Sequence, residues 1–307
     1  SDVAAARDAA AAATARWTAA APLSPLDGVP FTVKDNIPTA GFPTRWGSPA
    51  WPATPADRDE LPIARLRDAG AVVIRKTNVP EFTSQGYTDN AVFGTTGNPW
   101  DPRLTPGGSS GGAVAAVAAG IGPFAIGTDG GGSIRRPASH TGLFGLKPSR
   151  GRVPRCDGLP AILLDFEVIG PIARSVADLV AVMQVVAPPH PRDPLGHGLP
   201  AFTVPAPAPC RVLYVPRFGA HPVDPEVAAS TDAVAAALGR AGHAVTRAAA
   251  PFDPDAVARI QATVSQAGLA WLGETFGAAP ASPTLAEMQQ GGARLPAATL
   301  FGALDAA

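Results

Sequence analysis

Three residues of this chain have types and spacings that chemistry can use. Ser109 lies within Gly107-Gly108-Ser109-Ser110-Gly111-Gly112. Ser133 follows the glycine run of Gly127-Thr128-Asp129-Gly130-Gly131-Gly132-Ser133-Ile134-Arg135, and Lys34 precedes both, in Gly28-Val29-Pro30-Phe31-Thr32-Val33-Lys34-Asp35-Asn36. Glycine runs let backbone approach a ligand closely and adopt positive φ. Successive bare N–H groups that end on a serine are what an oxyanion hole beside a nucleophile requires. The hydroxyl itself is a poor nucleophile and needs a neighbouring base.

Lysine usage points to that base. Lys and Arg together number 24, yet the only lysines are Lys34, Lys76 and Lys147. Arginine stays charged, whereas the pKa of lysine falls readily on burial, so only lysine can accept a proton near neutral pH. A free lysine titrates at about 10.4 and is useless as a base at pH 7. Burial would lower that value. Chance survival and a structural ion pair with Asp35 are the other accounts of Lys34, and all stand at this point.

Two alternative motifs are weaker. Gly107-Gly108-Ser109-Ser110-Gly111 fits G-x-S-x-G, but that nucleophile elbow needs a strand immediately before it. The preceding Asn98-Pro99-Trp100-Asp101-Pro102 cannot be a central strand. No Gly-Lys-Ser/Thr follows a glycine loop, which argues against a phosphate loop. Of the five histidines only His140 lies near the glycine segments, seven residues after Ser133. It reads either as a Ser–His partner or as a surface loop residue. Asp129 and Arg135 flank the second loop and are placed to clamp it as an ion pair.

The elements that would hold these residues are legible in outline. Residues 29–34 read as a short buried strand and 61–69 as a helix. Residues 71–75 are a β-branched strand, and 88–106, rich in Asn, Gly and Pro, are loop. Residues 110–119, small and apolar all round, suit a tightly packed buried helix. A strand over 124–128 enters the second glycine loop. Residues 175–187 form an amphipathic helix with Ser175 as N-cap and Asp178 at the capping-box position. Eight prolines between Pro188 and Pro209 mark a surface crossing. Beyond it, strands at 211–215 and 244–247 alternate with helices at 225–238 and 255–276. This alternation predicts an α/β layered fold.

Composition narrows the function classes. Hydrophobic residues make up 46% of the 307, enough for a sizeable core, and 33 glycines with 35 prolines stay below low-complexity levels. A net charge of −1 gives no sign of a nucleic-acid or anionic-membrane partner. The longest weakly polar run, 113–127, is too short and glycine-rich to span a bilayer. No signal peptide is visible. The two cysteines, Cys156 and Cys210, have neither metal spacing nor a disulfide pattern. No metal or cofactor is expected, the cytoplasm is the expected location, and oligomeric state is not readable. Both ends read as alanine-rich helix, cut short.

Five segments occur in one order: residues 28–36 around Lys34; Lys76-Thr77-Asn78-Val79-Pro80-Glu81-Phe82; 105–112 around Ser109; 127–135 around Ser133; and Gly145-Leu146-Lys147-Pro148-Ser149-Arg150-Gly151-Arg152-Val153. Together they resemble the amidase signature family, chiefly over residues 26–190 and more weakly to about 276. The resemblance implies a mixed β-sheet covered by helices on both faces. It also implies one domain over 1–307 that lacks part of the family's N- and C-terminal segments. It further implies a Ser–cisSer–Lys triad: Ser133 as nucleophile, Ser109 as the proton relay after a cis peptide bond, and Lys34 as base. The N–H groups of Gly130, Gly131, Gly132 and Ser133 would form the oxyanion hole, and Asp129, Arg135 and Ser110 would support it. Gly130 stands where many members carry a side chain, which implies a less bulky loop. The implied reaction is hydrolysis of a small-molecule amide through an acyl-enzyme, extending to esters or carbamates. The glutaminase subunit of a tRNA-dependent amidotransferase and a non-catalytic binding protein are the alternatives.

Overall fold

The computed structural model describes residues 3–307. The first helix, α1, spans Val3–Thr18. Strand β1, Pro30–Lys34, is buried at every position after the first. Helix α2, Leu61–Asp68, follows, with Pro62 in its first turn, where the missing N–H costs nothing. It leads to β2, Val72–Thr77. After a long loop come α3, Gly111–Ala118, and β3, Phe124–Asp129. Then follow α4, Arg135–Thr141, β4, Phe144–Gly145, and β5, Val168–Ala173. Helix α5, Val176–Val186, starts as expected at Ser175, whose side chain accepts from the Asp178 N–H.

These strands form one sheet in the order β2-β1-β3-β5-β4. β1 runs parallel to β2 and β3, whereas β5 is antiparallel to β3 and β4, so the sheet is mixed. One face carries Phe31, Val33, Phe124 and Ile126 against α2 and α5. Phe31 and Phe124 stack with ring centroids 5.1 Å apart. Full burial of each such side chain contributes about 1.5–3 kcal/mol. Ala125 packs with Ala113, Val114 and Val117 of α3. The small residues of α3 let it approach closely. Gly112 N–H donates to Asn78 O at 3.1 Å, and a Cβ at Gly112 would collide with the Asn78 backbone.

Beyond residue 203 the chain forms β6, Arg211–Tyr214, α6, Pro225–Arg240, and β7, Ala244–Arg247, with β6 and β7 parallel. Helices α7, Pro254–Phe276, α8, Pro283–Gly292, and α9, Ala297–Asp305, complete the chain. Where one domain is expected from the sequence, the chain divides into two compact units, Ser1–Thr203 with Ser265–Arg294, and Val204–Val264 with Leu295–Ala307. The expected core, 26–190, lies wholly in the first. Among the described residues no helix is long and apolar enough to cross a membrane.

Candidate active site

Strand direction assembles the site. β1, β2 and β3 are parallel, so Lys34, Thr77 and Asp129 end at one edge of the sheet, the edge where open α/β sheets hold their ligands. The antiparallel β5 begins there, because Asp129 pairs with Val168 and Thr128 with Ile169. Lys34 pairs with Thr77 in the β1–β2 ladder, and Val33 with Lys76. Side chains alternate along a strand, so Lys34 and Lys76 point to opposite faces.

Lys34 is fully buried. Its Nζ lies 2.8 Å from Ser109 Oγ, 2.7 Å from Thr128 Oγ1 and 3.1 Å from Thr128 O. Among the described residues no carboxylate touches it. The ion pair with Asp35, another account of Lys34, belongs instead to Lys76, at 3.2 Å. Burial pushes Lys34 down to about 7, against the pull of Glu167 and Asp129, which favour its charged form.

The Gly108–Ser109 peptide bond is cis. Gly108 must be glycine, since a Cβ there would lie 2.6 Å from Tyr87 O. Ser110, also buried, places its Oγ 3.3 Å from Thr128 O and donates its N–H to Ser133 O at 3.2 Å. The first glycine segment is thereby tied to the second. Ser133 itself is half-buried. Among the described residues no hydrogen bond joins its Oγ to Ser109; catalytic hydrogen bonds often close only with substrate in place.

Asp129 organises the second loop. Its carboxylate takes Arg135 Nε and Nη2, each at 2.9 Å, as the flanking positions predict. It also accepts from the N–H groups of Gly132, Ile134 and Arg135. Burial opposes its ionisation, yet the Arg135 guanidinium and these N–H groups outweigh that and hold the carboxyl at about 2. The Gly132 N–H, expected in the oxyanion hole, is already taken by Asp129 Oδ1 at 2.7 Å, and a charged acceptor holds it firmly. Gly130, Gly131 and Ser133 keep their N–H groups free of protein acceptors among the described residues. At Gly130 a Cβ would lie 2.6 Å from Leu163 Cδ1, so the space of the missing side chain is filled from residue 163. His140 is exposed, on α4, and makes no hydrogen bond to Ser133.

Five further residues meet here that sequence reasoning did not single out. Thr128 Oγ1 lies 3.2 Å from Glu167 Oε2 and 3.0 Å from Asn36 Nδ2. Arg155 Nη1 reaches Glu167 Oε1 at 3.0 Å, and its Nε reaches the buried Glu60 at 2.7 Å. Thr128 and Asn36 stand beside residues already in the motifs; Glu167 and Arg155 had no local signal.

The structure thus brings a buried lysine, two serines and a glycine-rich loop together at one end of the sheet. The family model for amidases matches residues 1–289, and the chain belongs to the amidase signature family. Over 222 residues it is 43% identical to the A component of a glutamyl-tRNA(Gln) amidotransferase from a Synechococcus species, covering 70% of this chain and 45% of that protein. It is 42% identical over 226 residues to an indoleacetamide hydrolase from Bradyrhizobium diazoefficiens, covering 72% and 43%. The chain therefore spans less than half the length of either relative. A crystallised amidase superposes with a TM-score of 0.85 at 31% identity, over 99% of this chain and 67% of that one.

Proposed function

We propose that the chain hydrolyses the C–N bond of a small-molecule amide through an acyl-enzyme on Ser133. The observation that carries this reading is the fully buried Lys34 amine 2.8 Å from Ser109 Oγ, with no carboxylate in contact among the described residues. Neutral Lys34 takes the proton of Ser109 as Ser109 takes that of Ser133. The Ser133 oxygen adds to the carbonyl carbon, and the oxyanion is met by the N–H groups of Gly130, Gly131 and Ser133. One such donor is worth about 10²–10³ in rate. The proton returns through Ser109 to the leaving amine, the C–N bond breaks, and water releases the acid by the same steps in reverse order. The chemistry extends to esters and carbamates, because the acyl transfer is the same. No nucleic acid or membrane enters this reading.

The relative from Synechococcus supports a second reading, a glutaminase that passes ammonia to partner proteins. Glutamine, simple amides, esters and carbamates assayed with the purified chain separate the two. Turnover of simple amides without a partner favours the first, and glutamine-only turnover the second. A slow ester or phosphonate should leave its adduct on Ser133 by mass spectrometry, and Ser133→Ala should abolish it. An adduct on Ser109 would overturn the assignment.

A further inference from the structure

The geometry points to Glu167 as a positioning residue that, through the Thr128 hydroxyl, holds the lone pair of Lys34 on Ser109. This rests on Lys34 being the base. A neutral amine has two N–H donors and one lone pair, and three oxygens surround Nζ. Thr128 O only accepts, so it takes one N–H. The second N–H and the lone pair must be shared between two hydroxyls, Ser109 Oγ and Thr128 Oγ1. Each hydroxyl has one proton and two acceptor sites, so the Thr128 proton decides the outcome. If it points at Lys34 it occupies the lone pair, and Ser109 faces an N–H instead of a base.

Glu167 removes that alternative. An ionised carboxylate only accepts, so at 3.2 Å its Oε2 draws the Thr128 proton to itself. The two acceptor sites of Thr128 Oγ1 then take Lys34 N–H and Asn36 Nδ2–H. The Asn36 amide is fixed in turn, because Nδ2 lies 3.4 Å from Glu167 Oε1 and an amide oxygen there would face a carboxylate. Ser109 is left as the only donor to the Lys34 lone pair.

Glu167 has its own cationic partner, Arg155 Nη1 at 3.0 Å. Arg155 bridges it to Glu60, which is fully buried and comes from the chain just before α2. The charged groups around Lys34 are therefore Glu167, Arg155, Glu60, and Asp129 paired with Arg135; the Lys76–Asp35 pair lies on the far face. Glu167 favours the charged lysine, so its neutral replacement should lower the midpoint at which Lys34 loses its proton. A site merely opened to water should raise it.

The test is acylation of Ser133 by p-nitrophenyl acetate from pH 5 to 10. Glu167→Gln should cut the plateau rate by about 10- to 100-fold, the scale of one poorly placed base, with little change in KM. Its rising limb should move to lower pH. Thr128→Val breaks the same link and leaves the Arg155–Glu167 pair intact. It should lose as much, and the double variant should lose no more than either. A Glu167→Gln plateau within about twofold of wild type, a limb moved to higher pH, or additive losses would overturn the proposal. Lys34→Arg is the control. If it acylates, the lysine reading itself fails. If it is inert while Glu167→Gln behaves as wild type, only the role of Glu167 fails.

Discussion

Each face of the sheet holds a lysine, fully buried at Lys34 and largely buried at Lys76, and the contrast shows what would separate the proposed base from a structural cation. Lys76 Nζ meets Asp35 Oδ1 at 3.2 Å, Ile37 O at 2.8 Å and Thr44 Oγ1 at 2.9 Å. Three acceptors, one of them charged, match the three donors of an ammonium. Lys34 meets one carbonyl and two hydroxyls, and hydroxyls can serve either protonation state. Burial lowers the pKa of both, but Asp35 works against it at Lys76. Burial alone makes no base; the partners decide.

The largest expected effect follows from exchanging the cation type on each face. Lys34→Arg keeps the charge but cannot accept a proton at these pH values. It should fold, by circular dichroism and thermal melting, and lose about 10³-fold or more of the Ser133 acylation rate from neutral to alkaline pH. Lys76→Arg, judged by the same assay, should stay within about tenfold of wild type, near 1.4 kcal/mol. Near wild-type turnover in Lys34→Arg would remove the distinction between the faces.

Stability should respond in the opposite sense. Lys76→Met leaves Asp35 buried without its partner, a type of change that costs about 3–5 kcal/mol. Lys34→Met removes an amine that has no counter-ion in contact among the described residues, so its cost should be much smaller. Denaturation midpoints in urea at pH 7.5 compare the two directly. Equal losses would mean that Lys34 is as much a structural cation as Lys76.

The catalytic candidates were legible because they sit in local motifs. Lys34, Ser109, Asp129 and Ser133 each stand among glycines or at a strand end that a single sequence displays. β1, α2, β3 and β7 were readable from their periodicity and boundaries. β5 was missed because Val168–Ala173 carries Gly170 and Pro171, which read as a loop. α4 was missed because it is short, holds Pro137, and is organised by Asp129 through the preceding turn. Missing β5 also hid Glu167, since only its antiparallel pairing with β3 brings residue 167 beside residue 128. Arg155 and Glu60 meet across 95 residues of sequence, a distance over which spacing carries no information. The bond from the Gly132 N–H was hidden for a related reason: the same Asp129 that clamps the loop through Arg135 also accepts from that donor.

The smallest effect, a difference in proton affinity, gives the sharpest test of the contrast. With three lysines in the chain, the side-chain signals of Lys34 and Lys76 can be resolved by NMR on lysine-labelled protein and assigned by the variants above. Lys34 should titrate at about 7, against an ordinary 10.5, and the rise of acylation with pH should share that midpoint. Lys76 should keep its proton beyond it, because Asp35 lies in contact. Stability should carry the same signature. Between about 7 and 10.5 the unfolded chain still binds a proton that folded Lys34 has lost. Stability from this group therefore rises with pH through that window and levels off above it. Lys34→Met should lack this rise, whereas Lys76→Arg should retain it. If the Lys34 signal titrates near the ordinary value, or Lys76 loses its proton first, the assignment of base and structural cation must be reversed.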